Sequence, residues 1–367
     1  MFYKFGWHCW LLAGILLGCG TQEEPVRTES VAIIERKGNP YQRGIHYGTK
    51  ATSEIRKQVT VWDELIRTEL GLSQDSLYAL IATKTDFLRT SERHAPEILR
   101  EVAGIADGAA VSYKSLICLN LAEEIITYFS GGYHSCTNIG VSTSEHHLIG
   151  YNLDLPDFFR DFPPVILRDG QRYVYGFPGI VATGGMNEHF VVTTNSLPDL
   201  RLNLQGLPLP FLIRKLLQFS RADDAIAFLR AVPPGAPQNL MIGGRDGIRD
   251  FECSAGGVVE YYAPAKVFFH TNHPLVSQDR LIPLTRKDSC ARFSFLTERF
   301  GSAGEQGEVD FAGMRELIGS TEGGIHNPET YLSVVARYPS DPKLLPQVEI
   351  IVPTAPAKKI YLDFSQQ

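Results

Sequence analysis

The sequence predicts an α+β domain in which helices stand apart from antiparallel strands. Up to about residue 130, apolar positions recur three and four apart, the period of one helix face. From Cys136 onward the texture changes to short runs rich in β-branched and aromatic residues, split by turn signals. No Pro/Gly/Ser-rich linker interrupts the chain after residue 30, so both textures are expected to form one composite, layered domain.

Taken in order, Val31 to Glu35 reads as a short strand entering the turn Gly38-Asn39-Pro40. Helices are expected from Gln42 to Leu70, Gln74 to Arg89, Pro96 to Ala109 and Tyr113 to Phe129, with Pro96 marking a helix start. Strands follow at Thr137 to Ser142, His147 to Leu153, Val165 to Leu167, Arg172 to Phe177 and Phe190 to Thr194, with Asp169-Gly170 and Gly184-Gly185 read as turns. Helices near Leu209 to Phe219 and Ala222 to Ala231 precede strands at Leu240 to Gly243, Gly247 to Ser254, Val258 to Tyr262 and Val267 to Thr271. The C-terminal part reads as helices at Cys290 to Phe300 and Phe311 to Gly319, then strands at Tyr331 to Ala336, Gln347 to Val352 and Lys359 to Phe364. The paired acids Glu123-Glu124 and Asp223-Asp224 read as helix-cap and solvated-face charges.

Of the 367 residues, 44% are hydrophobic and 21% charged, ordinary globular values with length enough for a sizeable core. A net charge of -6 with no basic stripe argues against nucleic acid as a partner. The N-terminus is distinct: Lys4 is its only charged side chain, and Trp7 to Gly18 is almost wholly apolar. That run is too short to span a bilayer comfortably and reads as an export signal. Its end, Leu16-Leu17-Gly18-Cys19 before the polar Thr21-Gln22-Glu23-Glu24, resembles a bacterial lipoprotein signal with Cys19 as the lipidated residue. The expected division is residues 1–19 as signal, 20–30 as a polar tether, 31–135 as a helical segment and 136–367 as a β-rich segment. The expected location is outside the cytoplasm, membrane-anchored and facing the periplasm or the cell exterior.

Six cysteines are present, Cys9, Cys19, Cys118, Cys136, Cys253 and Cys290, widely spaced and with no CxxC pair. This spacing argues against a zinc site or a disulfide scaffold, although one or two disulfides remain open. His146-His147, His270 and His273 lack the spacing of a metal motif, and no metal or cofactor is expected.

Cys136 stands where the helical part meets the first strand of the β-rich part, in Tyr133-His134-Ser135-Cys136-Thr137-Asn138. A lone cysteine there is more often a small buried hydrophobe than a nucleophile. Its company raises the stakes, because Gly150-Tyr151-Asn152-Leu153-Asp154 ends the next strand and a hairpin would return Asp154 beside Cys136. Cys-Thr-x-x-x-Val, a hairpin and Gly-x-Asn-x-Asp resemble the acyl-coenzyme A:6-aminopenicillanate acyltransferase family, relatives of the bile salt hydrolases in the N-terminal-nucleophile superfamily. Further landmarks occur in order over roughly residues 31 to 364. They are Gly38-Asn39-Pro40-Tyr41-Gln42-Arg43-Gly44 with His46 and Gly48, then Glu101 to Gly108, Val192-Thr193-Thr194-Asn195, His270-Thr271-Asn272-His273-Pro274 and Ser289-Cys290-Ala291-Arg292-Phe293.

The resemblance implies a four-layer αββα sandwich, self-cleavage between Ser135 and Cys136, and a thioester acyl-enzyme on Cys136 formed from a small-molecule amide or N-acyl substrate. The freed α-amine, with a reference pKa near 8, would act as base for its own thiol. Asp154 would orient that amine, Arg292 would hold thiolate and carboxylate in register, and Asn272 and Asn195 would donate to the oxyanion. The segment before Cys136 would remain bound as a small subunit. Two positions depart from the family pattern: Tyr151 stands where relatives carry arginine or glutamine, and Ser135 where many carry glycine. The rival readings are a binding module of the same fold without turnover and an unprocessed thiol enzyme using an external histidine base.

Overall fold

The computed structural model describes residues 33–130, 135–263, 267–281, 286–301, 309–353 and 357–365. The expected export signal, Cys19 and the whole of the expected polar tether therefore lie outside the described residues. Among the described residues no helix is long and apolar enough to cross a membrane.

Strand β1 (Ile33–Glu35) leads into helices α1 (Pro40–Lys50), α2 (Thr52–Leu70), α3 (Gln74–Lys84), α4 (Phe87–His94), α5 (Pro96–Ala109), α6 (Tyr113–Asn120) and α7 (Ala122–Ser130). Asn39 starts α1 with a capping box, its side chain accepting from the Gln42 amide while the Gln42 side chain accepts from Asn39. The expected helix from Gln42 to Leu70 is two helices, broken at Ala51 (φ -114°, ψ 29°). Periodicity does not reveal the break, because the buried positions Tyr47, Ala51, Ile55 and Val59 continue the same three-to-four spacing across it. Likewise Tyr113 to Phe129 is split at Leu121, and Gln74 to Arg89 is interrupted before Phe87.

The family landmarks Gly44, Gly48, Gly104 and Gly108 pack α1 onto α5. A Cβ on Gly44 would lie 2.1 Å from the Glu101 carbonyl oxygen, and one on Gly104 2.2 Å from that of Tyr41. Only residues without a side chain let the two backbones approach this closely.

The remaining strands are β2 (Thr137–Ser142), β3 (His146–Asp154), β4 (Val165–Asp169), β5 (Arg172–Gly176), β6 (Gly184–Met186), β7 (Phe190–Ser196), β8 (Gln238–Gly244), β9 (Gly247–Ser254), β10 (Gly257–Tyr261), β11 (Val267–His270), β12 (Thr330–Pro339), β13 (Gln347–Val352) and β14 (Lys358–Tyr361). Helices α8 (Asp157–Arg160), α9 (Leu209–Leu216), α10 (Ala222–Ala231), α11 (Lys287–Gly301) and α12 (Phe311–Gly319) lie between them. Gly184-Gly185, expected as a turn, is strand β6. It pairs with β5 and β7, and a Cβ on Gly184 would meet the Tyr175 hydroxyl at 2.2 Å, so glycine here serves close packing and not chain reversal.

Two sheets form, as the α+β reading requires. One runs β1-β4-β5-β6-β7-β8-β9-β10 and the other β11-β2-β3-β12-β13-β14. All pairs are antiparallel except β1 with β4. The sheets meet where a Cβ on Gly140 (β2) would touch Met241 (β8) and Ile248 (β9), and where Gly243 (β8) faces Ile149 (β3). The next residue along β3, Gly150, points the other way onto Met314 and Ile318 of α12, as strand alternation demands.

One large buried cluster contains residues from both sides of Cys136, among them Trp62, Ile105 and Leu119 with Tyr151, Phe211 and Leu240. A buried ionic cluster also joins the two segments. Arg36 donates to Glu101 at 2.6 Å and to both oxygens of Asp169 at 3.0 and 2.8 Å, and Arg214 donates to Glu101 at 2.7 Å and Asp169 at 3.0 Å.

Candidate active site

The β2–β3 hairpin places Thr137 opposite Asn152, so Cys136 lies beside the end of β3. The Cys136 thiol is 3.9 Å from the main-chain oxygen of Asp154. Cys136 is buried, and burial, then the Asp154 charge, pushes its thiol up to about 12 in the continuous chain, where its nitrogen is an amide. Ser135 is described and half-buried, whereas residues 131–134 lie outside the described residues.

Asp154 is fully buried, and each of its carboxylate oxygens accepts one side-chain hydrogen bond. Thr330 Oγ1 donates to Oδ1 at 2.8 Å and Asn327 Nδ2 to Oδ2 at 2.8 Å. Burial raises the carboxyl to about 7, and these hydrogen bonds and the charge of Arg292 offset only part of that rise.

Arg292, on α11, gathers the site from the far side. Its Nη1 donates to the Cys136 carbonyl at 2.7 Å and to Thr137 Oγ1 at 2.9 Å, while Nη2 donates to Asn272 Oδ1 at 2.8 Å. With its oxygen engaged by Arg292, the Asn272 amide is oriented, and Nδ2 spends one hydrogen on the Ser196 carbonyl at 3.1 Å. Asn195 is arranged differently: its Nδ2 donates to the carbonyls of His270 at 2.7 Å and Thr271 at 3.2 Å, which takes up both amide hydrogens. Asn195 thus braces the turn that carries Asn272 and has no hydrogen left for an oxyanion, contrary to the role expected of it.

The structure therefore brings Cys136, Asp154, Asn272 and Arg292 together and places Asn195 one step behind them. Reading the sequence missed Thr330 and Asn327, although Asn327-Pro328 before a closing strand is a turn signal. Tyr151, noted there only as a departure from the family pattern, also bears on the thiol. The Tyr151 hydroxyl donates to the Thr194 carbonyl at 2.8 Å and lies against the Cys136 thiol.

Cys136 opens on a small cavity with mainly apolar walls, including Leu153, Leu155, Phe159, Phe177, Ile180 and Leu209. The rings of Phe159 and Phe177 stack with centroids 4.0 Å apart. Glu123, expected on a solvated face, lines this cavity and accepts from Gln238 Nε2 at 2.9 Å. Glu124 is fully buried, accepting from the amides of Leu209 at 2.8 Å and Ala236 at 3.2 Å, with its carboxyl raised to about 7 by burial. Both face inward because α7 runs against the β-rich segment, a contact that helix charge pattern alone does not reveal. Asp223 and Asp224, by contrast, are exposed in the first turn of α10.

Cys118, Cys136, Cys253 and Cys290 are free thiols. Among the described residues, no group of three or more His, Cys, Asp or Glu side chains is arranged to hold a metal ion.

Comparison with known proteins bears out the family resemblance. Residues 170–325 match the family model described as acyl-coenzyme A:6-aminopenicillanic acid acyl-transferase, a span that contains Asn195, Asn272 and Arg292 but neither Cys136 nor Asp154. The chain is 26% identical over 239 residues to the beta-alanyl-dopamine/carcinine hydrolase of Drosophila melanogaster, a match covering 59% of this chain and 61% of that protein. It is 24% identical over 250 residues to the acyl-coenzyme A:6-aminopenicillanic-acid-acyltransferase 40 kDa form of Emericella nidulans, covering 66% of this chain and 69% of that protein. The match thus spans about three fifths of the length of the first of these relatives.

Proposed function

From the chain's similarity to the penicillin acyltransferase-like family, we propose that it is an amide-acting hydrolase or acyltransferase working through Cys136 as an N-terminal nucleophile. The observation that carries this reading is the single guanidinium of Arg292 holding the Cys136 carbonyl, Thr137 and Asn272 around a thiol that opens on an apolar cavity.

In the proposed sequence, the Cys136 sulfur attacks the Ser135 carbonyl. The Ser135–Cys136 C–N bond breaks, leaving a thioester and a free α-amine on Cys136, and water then releases the Ser135 carboxylate and the thiol. In the processed enzyme this amine takes the thiol proton as sulfur attacks the substrate amide, then returns it to the departing amine. The substrate's acyl group stays on sulfur until water or an amine accepts it. Asp154, buried and without a cationic partner of its own among its hydrogen-bond donors, is suited to hold the new ammonium. Asn272, with one amide hydrogen uncommitted, is suited to the oxyanion. Outside the cytoplasm, where acyl-coenzyme A is scarce, water is the expected acceptor.

The two facing sheets with helices against them support reading the fold as a four-layer αββα sandwich. The shared core and the ionic cluster of Arg36, Glu101, Asp169 and Arg214 support a small subunit that stays bound after the cut. The location is proposed from the sequence alone: export, with Cys19 lipidated and the enzyme facing the periplasm or cell exterior. Cys19→Ser moving the protein from the membrane to the soluble fraction would support that anchor, and an unchanged distribution would reject it.

Intact mass and N-terminal sequencing of the chain lacking residues 1–19, beside its Cys136→Ala variant, test the central claim. A heavy fragment beginning at Cys136, absent from the variant, is expected. An uncut chain would overturn the N-terminal-nucleophile reading.

A further inference from the structure

We infer that His270 and Glu252 form a buried imidazolium–carboxylate pair that positions Asn272, so that Glu252 acts on the reaction through the turn following β11. The inference rests on the proposed role of Asn272 at the oxyanion.

Both partners are fully buried, Glu252 on β9 and His270 at the end of β11. The His270 ring faces acceptors on both sides: Nδ1 is 2.8 Å from the Thr271 carbonyl oxygen and Nε2 is 3.0 Å from a Glu252 carboxylate oxygen. A carbonyl oxygen can only accept, so Nδ1 carries a proton. An ionised carboxylate can only accept, so Nε2 carries one as well. Glu252 is held in that ionised form by further donors, the successive amides of Leu275, Val276 at 3.2 Å and Ser277 at 2.6 Å. The carboxylate thus sits in a cradle of three main-chain N–H groups capped by an imidazolium, an arrangement that favours its charge. Of the other titratable groups nearby, Asp250 also favours a charged His270, while His273 on the same turn is kept neutral, lowered to about 4 chiefly by burial.

The consequence concerns the turn from Thr271 to Ser277. Its start is fixed by Asn195 and His270 on the carbonyl of Thr271, its far end by Glu252, and between them the main-chain N–H of Asn272 donates to Ser289 Oγ at 2.7 Å. Asn272 is clamped at both ends, which is how a donor is aimed before charge develops on the substrate. No cleavage chemistry is assigned to Glu252 or His270; they are positioning residues.

The test uses the processed enzyme and its Glu252→Gln, Asn272→Ala and doubly substituted forms. Active sites are counted by thiol alkylation, and turnover is followed on an N-acyl 4-nitroanilide chosen as a wild-type substrate. Glu252→Gln is expected to speed hydrogen exchange at the amides of residues 275–277. It is also expected to lower kcat per titrated thiol at least about tenfold with KM within about threefold, and to add little when Asn272 is already alanine. Unchanged exchange, or losses that multiply in the double variant, would overturn the inference. Full turnover by Asn272→Ala would instead sink the oxyanion reading while leaving the exchange result to judge the pair. Should Glu252→Gln not fold, nitrogen-15 spectra of the wild-type histidines decide the charge state. His270 is expected to keep both ring protons to a higher pH than an ordinary imidazole, and a ring that turns neutral within or below the ordinary imidazole range would refute the pair.

Discussion

Arg292 and Cys136 are 156 positions apart, yet the guanidinium of one donates to the main-chain carbonyl of the other at 2.7 Å. A second arm of the same guanidinium reaches Asn272 at 2.8 Å, so one planar fork sets the distance between the candidate nucleophile and the candidate oxyanion donor. A lysine offers one compact charge and cannot span both.

Arg292→Lys is therefore expected to be nearly as damaging as Arg292→Met. Each should lower kcat by about 100-fold or more, the scale of losing one oxyanion donor. Steady-state kinetics normalised to reactive Cys136 would check this, and near-complete rescue by lysine would contradict the fork.

Before the cut there is no free amine, and Asp154, raised to about 7 by burial, is a carboxyl group whose charge bears on the Cys136 thiol. If its carboxylate assists the first attack, self-cleavage should accelerate tenfold per pH unit below about 7 and level off above it, because only the deprotonated acid accepts a proton. Asp154→Asn should slow the cut and flatten the profile. Time courses of fragment appearance from pH 5 to 9 would read both.

The cluster of Arg36, Glu101, Asp169 and Arg214 lies on both sides of the proposed cut. The arginine charges beside them hold Glu101 and Asp169 below their ordinary pKa values of 4.5 and 3.8, against the opposing push of burial. The stability this confers is present above the ordinary carboxylate range and is lost as pH falls below it through the folded values. Glu101→Gln should cost about 3–5 kcal/mol near pH 7. Its deficit against wild type should shrink as the pH is taken below 4, measured by urea unfolding.

Gly104 faces the Tyr41 carbonyl with no space for a methyl group. Gly104→Ala should destabilise by about 1–3 kcal/mol despite alanine's better helix propensity, since overpacking against backbone has no side-chain escape. A thermal midpoint equal to or above wild type would show that α1 and α5 can separate without loss.

The cavity walls predict preference for amides with an apolar, uncharged group beside the scissile bond. Each methylene that enters should raise kcat/KM about fourfold, corresponding to about 0.8 kcal/mol, until the space is filled. A series of straight-chain N-acyl 4-nitroanilides would trace that rise, and a flat series would argue that this group binds elsewhere.

Reading the sequence recovered what is local. Pro96–Ala109, Thr137–Ser142, Ala222–Ala231, Gly247–Ser254, Phe311–Gly319 and Gln347–Val352 have the bounds expected of them, because each carries a clear period closed by a cap, a turn or a glycine. The Thr137 to Asp154 hairpin was equally legible, and with it the approach of Asp154 to Cys136, since antiparallel register follows from the turn between two strands.

Tertiary packing decided the rest. The breaks at Ala51 and Leu121 leave the apolar spacing intact and depend on how the next helix docks. Glu123 and Glu124 read as solvent-facing until α7 is laid against the β-rich segment. Asn195 and Asn272 carry the same side chain, and what separates the brace from the candidate donor is which carbonyls lie within 3.2 Å of each amide. Side-chain chemistry and local period are properties of a few neighbouring residues and survive in the linear chain. Desolvation, hydrogen-bond partners and charge state depend on groups tens to hundreds of positions away, and only the folded chain brings those groups together.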